Sequence, residues 1–266
     1  MPEAAKKKRQ VYSAPALEKG LDILELLATD GDPLTSAEIA ARLGRSVGEI
    51  FRMIVVLEQR GYVASGVDDD RYSLTLKMFE VSSQVAPIKR LTSTAVGVMH
   101  DLAMTTHQSG HLVVYADGRG VIIAQEDSPS PRSFTVRIGA EAPLFESCSG
   151  HLILAFADES ARERMMAAQP ASEASPADAD VNRLVKRVRD QGFESIKSRQ
   201  IAGVHDIGYP VFDYSGKMQA ALLIPFLEHI DGSEEVDFET CQRELASAAM
   251  VISRGLGYVN GDMIRA

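Results

Sequence analysis

Residues 35–61, TSAEIAARLGRSVGEIFRMIVVLEQRG, constrain the chain more than any other stretch, because two helix starts are written into them. Thr35 stands three residues before Glu38, and Ser46 three before Glu49. At that spacing hydroxyl and carboxylate satisfy the free N–H groups of a first helical turn, as a capping box. Between them, Gly44 can take the left-handed backbone that ends a helix. The pattern predicts a first helix over 36–43 with Ile39, Ala40 and Leu43 inward. A second starts at Ser46, with Ile50, Met53, Ile54 and Leu57 inward at 3–4 spacing. A short helix, a tight turn and a longer helix make either a generic helical corner or a helix-turn-helix, whose second helix enters the major groove of DNA.

The flanks favour DNA. After Gly61, YVASGVDDDRYSLTL holds a strand-like run, a turn-forming cluster at 66–70 and the alternating Tyr72, Leu74 and Leu76, which predicts a hairpin. A helix-turn-helix followed by a hairpin is a winged helix. Upstream, Leu17, Leu21, Leu24 and Leu27 recur at 3–4 spacing and predict the amphipathic helix that closes a three-helix core.

The segments ALEKGLDILELLA, LTSAEIAARLGRSVGEIFRMIVVLEQRGYV and DRYSLTLKMFEVSS together resemble the DNA-binding half of the IclR family of bacterial transcriptional regulators. Downstream, RIGAEAPLFESCSGHLILA resembles the family's loop and helix at the mouth of its effector pocket. VRDQGFESIKSRQIAGVHDIGYPVFDYSGKMQAALLI resembles its run into the last paired strands. The resemblance covers residues 14–259 in several blocks in the right order. It implies an α/β (α+β) chain: a winged helix joined by a helical linker to a GAF-like, antiparallel-sheet effector domain.

Composition agrees with a soluble protein and excludes several classes. Hydrophobic residues make up 45% and charged residues 24%, enough apolar material for a real core. No run approaches the roughly 20 apolar residues a membrane span needs, and the basic N-terminus lacks the apolar region of a secretory signal. Cys148 and Cys241 make no disulfide framework and suit a reducing cytoplasm. The net charge of −9 argues at first against a nucleic-acid partner. Yet residues 1–90 carry 13 basic and 13 acidic side chains and the remainder 15 and 24, so the acidic excess belongs to the second part. A neutral DNA-binding part makes affinity lean on two half-sites engaged together.

Four segments follow in order. Residues 1–13 read as a disordered arm whose Lys6, Lys7, Lys8 and Arg9 either contact phosphates or merely keep a tail solvated. Residues 14–79 form the winged helix, and 80–90 a linker in which Pro87 ends one helix before another begins near Leu91. Residues 91–266 form the effector domain, with strands over 112–115 and 121–125 around an Asp117-Gly118 turn. A third strand over 133–138 follows, then a helix over 148–157, a helix stopping at Gly192, an antiparallel pair over 204–212 and 218–226, and a last helix over 234–254.

Two sets of residues carry the chemistry. At the start of the second winged-helix helix, Arg45, Ser46, Val47, Gly48, Phe51 and Arg52 are placed to meet bases and phosphates. Phe51 could instead pack inward, and Arg52 could pair with nearby acids. The wing tip Asp68-Asp69-Asp70 repels phosphate, which leaves Arg71 as the one contact there. In the second domain, Cys148, Ser149 and Gly150 open a helix whose free N–H groups suit a ligand carboxylate. A redox enzyme or sensor using Cys148 with His151 is the alternative, although no third orienting group is visible.

Where many family members read PLHATASGKA, this chain has Phe145 for the His and His151 for the Lys. Leu223 and Pro225 replace hydroxyl-bearing residues of carboxylate-sensing members. These changes imply a more apolar pocket, suited to an aromatic acid. His205 and Asp206 fall where the family contributes pocket residues, or else form a strand-edge pair facing solvent. His100, His107 and His111 lack the accompanying ligands of a metal site and read as scattered structural histidines. No cofactor motif is present. The resemblance implies a non-enzymatic, cytoplasmic homodimer or tetramer that binds double-stranded DNA at a pseudo-palindromic operator and a small organic acid effector, with no membrane partner.

Overall fold

The computed structural model describes residues 13–66, 70–83, 86–169, 178–199, 201–233 and 235–259; the basic cluster at Lys6–Arg9 and the acids Asp68 and Asp69 lie outside them. The chain divides into two compact units, Met1–Ala86 and Pro87–Ala266.

In the first unit, α1 (Pro15–Asp30), α2 (Ser36–Arg42) and α3 (Val47–Gln59) enclose a core of Ile23, Leu24, Leu27, Leu34, Ile39, Ala40, Ile50, Ile54 and Val63. Both capping boxes are present. The Glu38 N–H donates to Thr35 Oγ1 (3.2 Å) while the Glu38 carboxylate accepts from the Thr35 N–H (2.8 Å). Glu49 accepts from the Ser46 N–H (3.3 Å) and hydroxyl (2.9 Å). Gly44 has φ +64°, the left-handed conformation that stops α2 and frees the chain to turn into α3.

The wing strands β2 (Val63–Ser65) and β3 (Arg71–Leu74) pair antiparallel. A strand absent from the local pattern, β1 (Leu34–Thr35), pairs with the other edge of β3. The expected four-leucine stripe of α1 is only half core. Leu24 and Leu27 are buried with Ile23, whereas Leu17 is 64% and Leu21 47% exposed. The α3 start meets this part of α1 through Lys19 and Asp22 instead, on another side of the helix.

Next in chain order come α4 (Lys77–Ser83) and α5 (Ala86–Thr106). Pro87 does not delay the second of these helices to Leu91: it sits in the first turn of α5, where its missing N–H has no carbonyl to reach.

The second unit contains an antiparallel sheet in the order β6-β5-β4-β9-β8-β7. Its members are β4 (Gly110–Ala116), β5 (Arg119–Glu126), β6 (Glu141–Ala142), β7 (Glu194–Lys197), β8 (Val204–Phe212) and β9 (Met218–Leu227). Strand alternation gives the sheet two different faces. Leu112, Ala124, Ile207, Tyr209, Leu222 and Ile224 join α5 and α9 (Phe238–Gly255) in one core. Val113, Ile122, Ala221 and Leu223 point the other way, towards α6 (Cys148–Phe156) and α8 (Asp178–Gln191).

The expected strand over 133–138 does not form: the segment joins no sheet and ends in a turn at Ile138. The β5 edge is taken instead by β6 and by Gly139 and Ala140, which exchange backbone hydrogen bonds with Ile122. A short helix α7 (Glu159–Ala167) follows α6. No helix among the described residues is long and apolar enough to cross a membrane.

Candidate DNA-binding and effector sites

The capped start of α3 sets the first site. Arg45, Ser46, Val47, Gly48, Phe51 and Arg52 are all exposed, so one helix end presents them together. Phe51 is 50% and Val47 48% exposed, which excludes the inward packing of Phe51. Glu49 is engaged within the unit: Lys19 Nζ lies 2.6 Å from it, and with the Ser46 donors holds its carboxyl at about 2. Arg45 reaches Asp22 at 3.1 Å. Arg52 donates to the Gly48 carbonyl (3.2 Å) and has no acidic partner among the described residues. Arg71 differs from the others. Its Nη1 donates to the Pro33 carbonyl (2.9 Å) and to Glu38 (3.1 Å), tying the wing back to the start of α2.

The second site is a cavity of about 100 Å³ between the α6 face of the sheet and the loop before α6. Its walls include Ile122, Phe134, Val136 and Leu223, with Cys148 and Ser149 from α6 and Asp206 from β8. The unpaired segment 133–138 thus serves as wall.

Four of the eight sequence-derived effector residues line this space: Cys148, Ser149, Asp206 and Leu223. The other four do not, and have different work. Gly150 lets the backbone approach, since a Cβ there would lie 2.3 Å from the Leu144 carbonyl oxygen. Phe145 packs with Leu144, Ile153 and Leu154 beyond the cavity. His151 bonds to Glu194 (2.7 Å) and to the Phe145 carbonyl (3.0 Å). His205 Nε2 meets Ser195 Oγ at 3.0 Å, and its ring packs against Phe238. His205 and Asp206 are half-buried, so they do not form a solvent-facing edge pair.

At the start of α6 the Ser147 hydroxyl accepts from the Gly150 N–H (3.0 Å). No backbone hydrogen bond from the Cys148 or Ser149 N–H groups is found among the described residues, which leaves them suited to an anion.

The thiol chemistry of the alternative finds no support in this geometry. Burial pushes the Cys148 thiol well above its usual range, with Asp206 and Glu194 adding to the effect. It donates to the Glu194 carbonyl at 3.5 Å. His151, the one base nearby in sequence, commits both ring nitrogens elsewhere. A protonated thiol without a base is a poor nucleophile.

Among the lining residues that sequence reasoning missed are His111 and Arg199. His111 stood among three histidines read together, which the fold separates. His100 pairs with Glu126 (2.8 Å), His107 with Glu235 (2.9 Å), and His111 is buried at the cavity. The signal that could have found it is non-local: β4 lies beside β9, so His111 faces Leu223. No group of three His, Cys, Asp or Glu that could hold a metal occurs among the described residues.

A winged helix with an exposed recognition-helix start, joined to a sheet domain that encloses a small cavity, defines a DNA-binding protein with a small-molecule domain. Residues 84–254 match the family described as bacterial transcriptional regulator IclR C-terminal, and residues 16–65 the IclR helix-turn-helix domain. The chain belongs to the IclR family of bacterial transcriptional regulators.

The HTH-type transcriptional regulator KdgR of Escherichia coli (strain K12) is 27% identical over 254 residues, 94% of this chain and 95% of that one. The solved IclR of Thermotoga maritima shares 25% identity at a TM-score of 0.70, over 91% of this chain and 98% of that one. An IclR homolog from Microbacterium hydrocarbonoxydans, solved in complex with 4-hydroxybenzoate, has a TM-score of 0.75 over 91% and 99% of the two chains. At 20% identity that likeness is one of fold.

Proposed function

We propose that this regulator controls a bacterial catabolic operon in response to a small aromatic acid bound in the cavity beneath α6. The carrying observation is the cavity wall: Ile122, Phe134, Val136 and Leu223 suit a ring, and the free N–H groups opening α6 suit its carboxylate. The same fold holds 4-hydroxybenzoate in the Microbacterium protein, which supports the reading. Residues 14–79 would carry DNA binding, 80–90 the linker and 91–266 the effector domain. The protein would work in the cytoplasm as a homodimer or tetramer, its winged helices paired across a twofold axis on a pseudo-palindrome. Exposed Leu17 and Leu21 offer α1 as an apolar seam for that pairing.

A ligand moves such an equilibrium only by its differential affinity for the DNA-competent and incompetent states. Thermal shifts against aromatic and short keto acids test the effector class, because binding to the folded state raises the melting temperature. A rise with aromatic acids supports the reading. A rise confined to short keto acids overturns it.

On the DNA side, Arg45, Ser46, Val47, Gly48, Phe51 and Arg52 would meet the major groove, Phe51 against thymine methyls. Arg71 would give at most a minor contact. Arg52→Ala should weaken operator binding about tenfold or more, the order of one lost Arg contact, and leave the effector-induced thermal shift unchanged. Operator affinity within twofold of the parent in a binding assay would remove Arg52 from the interface.

A further inference from the structure

His111 is 7% exposed, and neither of its ring nitrogens has a hydrogen-bond partner among the described residues. Buried polar groups are ordinarily paired, and those left unpaired in a protein need a reason. The little surface His111 keeps faces the cavity. On the same face of the sheet, Asp206 is half-buried and has no hydrogen bond or ion pair among the described residues. Arg199, at the rim, is exposed and has no acidic partner among the described residues. Three polar side chains of different chemistry therefore meet one space, and none is used by the fold.

The register fixes their arrangement. His111 faces Leu223 across β4 and β9, and Leu223 faces Gly208 across β9 and β8; Asp206 lies two residues from Gly208. From strand spacing and rise, the Cα atoms of His111 and Asp206 are roughly 12 Å apart. With both side chains reaching inward, that span suits one substituted ring. The acids Glu141 and Glu146 also line the cavity, but both are exposed, and Glu141 pairs with Arg119 at 2.7 Å.

We propose that His111 is a specificity-determining residue of this cavity, and that the effector it selects carries a ring hydroxyl in addition to its carboxylate. The inference rests on the reading of the cavity as an aromatic-acid site. A neutral imidazole offers one N–H donor and one nitrogen acceptor, so it pairs with a hydroxyl whichever way that group points. Against an unsubstituted ring edge the same nitrogens stay desolvated and unmatched. A site built to hydrogen-bond a hydroxyl rejects the analogue that lacks one far more strongly than an apolar pocket rejects a missing methylene. Asp206 supplies a second group able to accept from that hydroxyl. Arg199 and the opening N–H groups of α6 take the carboxylate.

Isothermal titration of the full chain with benzoate and the three monohydroxybenzoates tests this. At least one hydroxybenzoate should bind tenfold or more tightly than benzoate. His111→Phe should bring that ratio within about twofold while benzoate still binds. His111→Gln keeps a donor and an acceptor in altered geometry, should cut the preference at least threefold without abolishing it, and serves if the Phe variant does not fold. Equal binding of benzoate and all hydroxybenzoates, or a preference that survives both substitutions, overturns the role of His111 and leaves the aromatic-acid reading intact. Failure of all four acids to bind, beside binding of a short keto acid, overturns both.

Discussion

Replacing Glu194 by alanine should lower the stability of the second unit by about 3–5 kcal/mol, the cost of removing one partner from a buried ion pair. The carboxylate is fully buried. Its Oε1 accepts from Arg187 (2.9 Å) and from the Ser195 N–H (2.8 Å); its Oε2 accepts from Arg187 (2.5 Å) and from His151 (2.7 Å). Burial alone would raise its pKa, yet the donors from His151, Arg187 and Ser195 more than reverse this and hold it at about 2. The other ring nitrogen of His151 lies 3.0 Å from the Phe145 carbonyl, so the ring joins Glu194 to the loop before α6.

Deleting Glu194 therefore leaves the Arg187 guanidinium and a ring nitrogen of the buried His151 without their partner. At about 2–4 °C per kcal/mol for a unit of this size, the melting temperature should fall by roughly 10 °C. Glu194→Gln, which keeps the shape and an acceptor, should lose about half as much. The triad also ties α6 and the loop before it to α8 and β7. The alanine variant should accordingly show a smaller effector-induced thermal shift than the parent. A loss below about 1 kcal/mol in a denaturant titration would mean that the triad adds little.

What the sequence made legible was local. The capping boxes at Thr35 and Ser46, the stops at Gly44 and Gly192, and the Asp117-Gly118 turn are each written within a few residues. Each stands where the spacing put it, because a cap or turn is satisfied by its own neighbours. The failures were contacts made at a distance. Nothing near Leu34 says that it will pair with Tyr72, and the alternating run at 133–138 could not say that its place on β5 would go to β6.

The site divides in the same way. Cys148 and Ser149 follow from a helix start, while Asp206 and Leu223 came only through resemblance. His111 and Arg199 were invisible until β4 was set beside β9 and the loop after β7 was closed over the cavity. His151 shows the reverse error. Its place one turn along from Cys148 suggested shared chemistry, but Glu194, distant in sequence, claims the ring.

Buried His111 and half-buried Asp206 should oppose each other in the pH dependence of stability, and Asp206→Asn should expose the balance. Burial raises the Asp206 carboxyl from 3.8 to about 6 and lowers His111 from 6.5 to about 4. Between pH 4 and 6 the folded state keeps an Asp206 proton that the unfolded chain releases, so this group's contribution to stability falls as pH rises. Between pH 4 and 6.5 the folded state lacks a His111 proton that the unfolded chain holds, so that contribution rises with pH. Each shift of two or more pKa units corresponds to about 3 kcal/mol, and the two nearly cancel over the same window.

Glu194 and Glu49, lowered from 4.5 to about 2, contribute stability that is full above about pH 5 and fades as pH falls below it. From these four groups the parent should vary little between pH 5 and 7 and weaken towards pH 4. The Asp206→Asn variant should match it near pH 4 and exceed it by about 2–3 kcal/mol at pH 7, or roughly 4–10 °C in melting temperature. Parallel pH profiles for parent and variant would show that Asp206 ionises without cost and is not desolvated in the cavity. The stabilised outcome carries a functional meaning. A carboxylate that weakens the protein at neutral pH serves nothing in the fold, and a residue that costs stability where it stands is the mark of a site shaped for a ligand. Asp206→Asn should then weaken hydroxybenzoate binding while it raises the melting temperature, two effects that a purely structural aspartate would not pair.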